Sequence, residues 1–306
     1  MNLFDVYFPL LFPSTNNTYK LRVIRPGASI EQSVLINTLS LKERRDQLKA
    51  SGSPQDKSNQ ELWKLDFWEN QTAYLRLRTF DVFALPFEWQ PFLRNAFQQI
   101  RQKQTKHLVV DIRWNDGGQD EVLLALGKYL TRKPISRIPR IAMVRYKTVA
   151  DSLRPYLFSW NKSIYNFEDQ IKSVDGDFFV LKTEEEFQIK PASNAFTGNV
   201  ILLTNAANAS AAFYFTEVAK ANQIATLIGE TTGGSQKGLN GGQMFFLRLP
   251  HSKIEIDVPV IGSFSPEKPD AGITPHYSVQ ESVNDIVNNI DPVIQFAKTW
   301  IQQNNN

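Results

Sequence analysis

The chain has 306 residues, 42% of them hydrophobic and 12% aromatic, which is enough apolar material for one large domain or two smaller ones and excludes a disordered chain. Its 34 basic and 31 acidic residues give a net charge of only +3, without a Lys/Arg block, so nothing points to a nucleic-acid partner. With no cysteine, disulfides, thiolate chemistry and cysteine-zinc sites are excluded.

The opening MNLFDVYFPLLFPS lacks a basic start and carries Pro9 and Pro13 around its apolar stretch, so it reads poorly as a signal peptide. The expectation is a fragment whose export signal lies upstream. No apolar run reaches membrane-spanning length, so no integral membrane segment is expected in this chain. YKLRVIRPGASIEQSVLI gives two short strands around a turn at Pro26 and Gly27, and SLKERRDQLKA opens on a capping box of Ser40 and Glu43. Polar ASGSPQDKSNQE, Ala50 to Glu61, reads as a linker. Residues 1–60 are therefore expected to form a small N-terminal β-containing module or domain remnant plus linker, and 61–306 the core.

AYLRLRTF then alternates like a strand, and Trp89, Phe92, Leu93, Phe97 and Ile100 recur at helical spacing. HLVVDIR is a continuous apolar run fit for a buried strand; after WNDGGQ a helix follows, with Val122, Leu123, Leu126 and Leu130 on its apolar side. Tyr146 to Thr197 is irregular and aromatic, either a cover over a cleft or a packed excursion. NVILLTN, a helix from Ser210, and ATLIGE repeat the strand, helix, strand order, so the predicted fold class is α/β with a largely parallel or mixed sheet flanked by helices. QMFFLRLPHSKIEIDVPV reads as a hairpin turning near Pro250 to Ser252, and NDIVNNIDPVIQFAKTWIQQ as one terminal helix burying Ile290, Ile294, Ala297 and Ile301.

Two loops, DIRWNDGGQ and TNAANASAA, leave the carboxyl ends of apolar strands, where open α/β sheets form their ligand sites. A serine at a first helical turn has free backbone N–H groups and the positive end of the helix dipole beside it, which would stabilise an oxyanion on an attacked carbonyl. Ala211 supplies the natural amide, and Gly117 and Gly118 could aim a second one at the same point. On these features alone, Ser210 could equally be a helix cap and Gly117–Gly118 a simple turn. Asp111 and Arg113 read as a brace holding the two loops together. The glycine-rich stretch from Ile228 to Gly242 implies backbone packed tightly against something.

AYLRLRTF, HLVVDIRWNDGG, GNVILLTNAANASAAFYF, ATLIGETTGG and PDAGITPHYSV, taken in order, resemble the tail-specific, or C-terminal-processing, serine peptidases over about Tyr74 to Val279. The resemblance implies a core of the crotonase or ClpP kind, Ser210 as nucleophile, and an oxyanion hole of Ala211 with Gly118 or Gly117. The lysine of the family's Ser-Lys dyad would fall at Ser235, so the expected base is missing. A branch related to interphotoreceptor retinoid-binding protein places a histidine where this chain has Lys237, which makes Lys237 the candidate base. A lysine accepts a proton only if burial or a neighbouring like charge lowers its pKa. Glu230 and Gln236 are candidate orienting groups, with Ser235 and His276 as alternatives at the base position; His251 offers less.

No histidine pair has metal-ligand spacing, and no metal or other cofactor is expected. The reading is a serine endopeptidase acting on peptide or unfolded protein; the resemblance also implies an extracytoplasmic bacterial setting, periplasmic or cell-surface, and an upstream PDZ-like domain of which residues 1–60 would hold the remnant. The alternative is an inactive peptide- or apolar-ligand-binding protein on the same fold, with a non-peptide ester hydrolase as a third reading.

Overall fold

The computed structural model describes residues 4–25, 28, 30–50, 62–136, 138–182 and 188–304. It separates into two compact units, Met1–Glu61 with Gln280–Phe296, and Leu62–Val279 with Ala297–Asn306.

In the first unit, helix α1 (Phe4–Leu11) precedes an antiparallel pair, β1 (Thr18–Val23) and β2 (Gln32–Asn37), and helix α2 (Leu41–Ala50). The capping box forms as expected: the Ser40 N–H donates to Glu43 Oε2 at 2.8 Å and the Glu43 N–H donates to Ser40 Oγ at 3.2 Å. The turn at Pro26 and Gly27 and the linker from Ser51 to Glu61 lie outside the described residues. The predicted single terminal helix is two helices, Val283–Val287 and Pro292–Gln303. Pro292 disfavours helical backbone at Asp291 and itself fits the first helical position, and Asn289 turns into the left-handed region at φ +53°. Ile290 therefore lies between helices, and the buried positions of the last one are Val293, Ala297 and Ile301.

The second unit runs β3 (Trp63–Trp68), β4 (Thr72–Leu77), α3 (Trp89–Gln102), β5 (His107–Asp111), α4 (Asp120–Leu130), β6 (Ile135–Ser136), β7 (Ile141–Val144) and β8 (Leu157–Phe158). There follow β9 (Ile171–Asp175), β10 (Phe178–Leu181), β11 (Gln188–Ile189), β12 (Asn199–Thr204), α5 (Ser210–Ala221), β13 (Thr226–Gly229) and β14 (Gly238–Leu239). The last strands are β15 (Met244–Arg248), β16 (Glu255–Pro259), β17 (Gly262–Phe264) and β18 (Tyr277–Ser278).

The main sheet has the order β18-β13-β12-β5-β4-β3. All of its pairings are parallel except the β3–β4 hairpin, so the fold is mixed α/β. β5 is buried at every residue, as its unbroken apolar run requires of a central strand covered on both faces. On one face Ala73, Leu75, Leu77, Leu108, Val110, Val200, Leu202 and Leu227 join the apolar sides of α3, α4 and α5 in one core. Each large side chain buried there contributes about 1.5–3 kcal/mol. Helix α5 is buried from Ala211 through Ala219, which explains the run of small and aromatic residues after Ser210.

The irregular aromatic stretch builds its own core. Val144, Val149, Ile164, Phe167 and Leu181 pack with Phe245 of β15, supported by Tyr146, Tyr165 and Phe179. The packed-excursion reading thus describes most of this segment, and the predicted hairpin is β15–β16. A second sheet, ordered β14-β17-β7-β10-β9, stands beside a three-stranded one ordered β16-β15-β8.

Candidate active site

Because β5, β12 and β13 are adjacent and parallel, their carboxyl ends open on one edge of the sheet. Three loops leave that edge: Ile112–Gln119, Asn205–Ala209 and Glu230–Lys237. At the root of the first, buried Asp111 accepts from the Tyr74 hydroxyl at 2.7 Å, from the Arg113 amide at 3.0 Å and from Arg113 Nε and Nη2 at 2.9 and 2.7 Å. Burial, and then the Asp111 charge, push the Tyr74 phenol above its usual range, so it remains a donor. Asp111 and Arg113 thus brace the first loop against β4.

Ties between the loops run through asparagines. Asn208, fully buried, donates from Nδ2 to the carbonyls of Ile112 and Asn115 at 2.6 and 3.1 Å. Its Oδ1 accepts the Asn205 amide at 2.8 Å, and its carbonyl accepts the Gly233 amide at 3.0 Å, so one residue joins all three loops. Asn205 Oδ1 accepts the Trp114 amide at 2.9 Å, and Asn115 Nδ2 donates to the Leu77 carbonyl at 2.8 Å. These asparagines escaped the sequence reading. Their signal was three Asn in two strand-end loops, where amides readily satisfy irregular backbone.

Ser210 is exposed and begins α5, but it is not the cap: Ala209 is the N-cap, and no side-chain capping bond forms. Its φ is +48°, a left-handed conformation unusual for a residue with a Cβ. Its Oγ makes no hydrogen bond to any described residue. Gly117 presses directly on it: a methyl group at Gly117 would lie 2.7 Å from Ser210 Cβ and 3.0 Å from the Ala211 nitrogen. Gly117 and Gly118 have φ of +112° and +136°.

The two glycine amides are not equivalent. Gly117 N–H is engaged, donating to Asn115 Oδ1 at 2.9 Å. Gly118 forms a parallel bridge with Phe80, in which the Phe80 amide donates to the Gly117 carbonyl at 2.8 Å and the Gln119 amide to the Phe80 carbonyl at 2.9 Å. That pattern directs the Gly118 N–H away from Phe80, into the opposite side of the loop.

The glycine-rich stretch folds as tightly as its composition suggests. Methyl groups would meet the Thr204 carbonyl oxygen at 2.2 Å from Gly229, the Ala206 carbonyl oxygen at 2.1 Å from Gly233 and the Phe213 ring at 2.5 Å from Gly234. Further along, a methyl at Gly241 would lie 3.8 Å from Ser210 Oγ, so the segment after β14 passes beside the serine.

The remaining sequence candidates are distributed more widely. Lys237 is exposed and makes no side-chain hydrogen bond or ion pair with the described residues, Ser210 included. Ser235 donates from Oγ to Asp270 Oδ1 at 2.7 Å, and Gln236 donates from Nε2 to the Gly272 carbonyl at 3.0 Å. Glu230 Oε2 accepts the Ala206 amide at 3.3 Å, bracing the serine loop. His276 is not brought to Ser210. Its Nδ1 accepts the Leu227 amide at 2.9 Å, and it borders a cavity with Asn199, Val200 and Thr226 at the amino ends of the strands, the edge opposite the serine. Burial, and then the Lys220 charge, hold its pKa below the usual value. His251 sits exposed in the β15–β16 turn.

The first loop thus sets Gly117 against Ser210 and the Ala211 amide, at the carboxyl edge of a parallel sheet. Residues 71–279 match the sequence profile of Peptidase family S41. The chain belongs to peptidase family S41. Among solved structures, a putative peptidase from Parabacteroides merdae is 18% identical, with a TM-score of 0.50 over 78% of this chain and 64% of that one. Mature CPAF, solved in complex with lactacystin, is 16% identical, with a TM-score of 0.58 over 92% of this chain and 66% of that one. At these identities the likeness is one of fold, and this S41 chain spans just under two thirds of the length of either structure. A comparison with curated proteins gives no match.

Proposed function

We propose that this chain is a serine peptidase in which Ser210 Oγ attacks a peptide carbonyl and the amides of Ala211 and Gly118 receive the oxyanion. The observation that carries this reading is the contact of Gly117 with Ser210, 2.7 Å from a would-be methyl to Ser210 Cβ, at the N-terminus of a buried helix. Gly118 is preferred over Gly117 as the second donor because the Gly117 amide is already engaged by Asn115. Lys237 is the base. Its backbone is fixed on both sides while its side chain has no partner among the described residues, and a bound substrate would supply the burial that removes its proton. The substrate is peptide or unfolded protein, and the setting is extracytoplasmic, on the bacterial surface or in the periplasm. Among the described residues no helix is long and apolar enough to cross a membrane.

A second reading, an inactive peptide-binding protein, is favoured by one observation: Lys237 makes no hydrogen bond to Ser210, and Ser235 with Asp270 fills the place of the expected lysine. A fluorophosphonate probe separates the two. Covalent labelling located by mass at Ser210, and reduced at least tenfold in Lys237→Met, is expected of the peptidase. An unlabelled protein that binds peptides equally well as wild type and as Ser210→Ala is the signature of the binding protein.

A further inference from the structure

Peptidase chemistry at Ser210 uses neither member of the buried ion pair between Arg140 and Glu217. Arg140 Nη2 lies 2.5 Å from Glu217 Oε2, and the two side chains are 8% and 5% exposed. Glu217 stands two turns beyond Ser210 on α5, on the same side of the helix. The Arg140 guanidinium also lies 5.5 Å from the ring centroid of Tyr214, one turn nearer the serine, and the Tyr214 hydroxyl donates to the Ile138 carbonyl at 3.2 Å.

The other arm of the same guanidinium reaches the glycine-rich loop. Arg140 Nη1 donates to the Gln236 carbonyl at 3.4 Å. Beside it, the Ser265 hydroxyl donates to the Pro139 carbonyl at 3.0 Å while the Ser265 amide donates to the Lys237 carbonyl at 2.9 Å. Sheet register continues the tie: Ile141 of β7 and Gly238 of β14 are both partnered by Phe264 of β17. Arg140 and Lys237 therefore enter the second sheet at one end, two strands apart, about 10 Å.

Burying two charges is a costly way to hold elements together, and an apolar pair of similar volume is often as stable or more so. Here the cost is visible, since Arg140 Nε and Glu217 Oε1 are buried without a hydrogen-bond partner among the described residues. An apolar pair cannot grip a helix carboxylate and a loop carbonyl at once, whereas the planar guanidinium fork can. From this geometry we infer that Arg140 and Glu217 are positioning residues, which hold the loop bearing Lys237 and Gly241 at its working distance from Ser210. The inference rests on the reading of Ser210 as nucleophile, but the placement of the loop can be measured without activity.

The test compares wild type with Arg140→Lys, Arg140→Met, Glu217→Gln and the double variant Arg140→Met/Glu217→Leu, reading thermal stability, hydrogen exchange over residues 235–242, and kcat against KM on an unfolded protein. Arg140→Lys keeps a charge for Glu217 but has a single ammonium in place of the fork, and the double variant removes both charges and so restores stability lost in Arg140→Met alone. In Arg140→Lys and the double variant, amide exchange over 235–242 is expected to rise about tenfold or more, and kcat to fall about 10- to 100-fold with KM within about twofold. Glu217→Gln keeps the shape and loses the charge, and should fall between. Wild-type exchange over 235–242 in Arg140→Lys and the double variant would overturn the inference. So would recovery of kcat together with stability in the double variant, which marks a purely structural pair. A wild-type chain that cleaves nothing while the variants still loosen the loop would instead count against the peptidase reading and leave the positioning role standing.

Discussion

Ser210 holds a left-handed backbone at φ +48°, a conformation that costs an ordinary L-residue about 1–2 kcal/mol and glycine almost nothing. The loops around it are over-determined by the Asn208 bonds and the Gly117 contact, which is the condition under which such strain persists. Ser210→Gly should therefore be more stable than Ser210→Ala by about 1 kcal/mol, read from denaturant unfolding of the two variants; equal stabilities would mean that the strain is not held in solution. Gly117 is constrained by both space and φ. Gly117→Ala puts a methyl 2.7 Å from Ser210 Cβ at a φ of +112°, and should lower kcat by about 100-fold or more through displacement of the serine and the adjacent Ala211 amide, in steady-state kinetics. At this scale the sequence marked Ser210, Ala211, Gly117 and Gly118 only as candidates, because a serine at a helix start and paired glycines after a strand serve equally as cap and turn. It could not tell which glycine amide is free, since that depends on Asn115, whose side chain takes one of them.

Elements were legible where their patterns were long. β5 and β12 show as unbroken apolar runs because they are central, and α3 shows a clean apolar stripe because only one side of it is buried. The division of the terminal helix was legible in principle from Pro292, but the apolar spacing continued across it and concealed the break. His276 illustrates what spacing cannot show: its position in the chain is close to the glycine-rich motif, yet the parallel pairing of β18 with β13 places it at the far ends of the strands from Ser210. There it has a structural use, accepting the Leu227 amide through Nδ1, and its pKa is lowered by burial and then by Lys220. The unfolded chain therefore takes up this proton first as pH falls, and the stability present above the unfolded value of about 6.5 is lost progressively below it. His276→Asn, whose Oδ1 can accept the same amide without titrating, should show a smaller fall in melting temperature between about pH 7 and 5 than wild type. An unchanged fall would show that other groups carry the acid sensitivity.

At the scale of the whole molecule, the parallel sheet gathers three loops on one edge, and the second sheet returns the glycine-rich segment to the serine through Gly241. That return was not legible in the sequence, because β14, β17 and β7 are short strands brought together from distant parts of the chain by pairing alone. Membership of family S41 accounts for residues 71–279, while the unit containing Met1–Glu61 and Gln280–Phe296 lies wholly outside the matched region. The activity proposed for the strained serine is peptide hydrolysis. Its most direct test is cleavage of an unstructured protein by the purified chain beside Ser210→Ala, with products mapped by mass and folding checked by circular dichroism. Discrete cleavage products are expected from wild type, with a loss on the order of 10⁶ in kcat for the folded Ser210→Ala chain; cleavage undiminished in that variant, or none from folded wild type, would rule out Ser210 as the nucleophile of a peptidase.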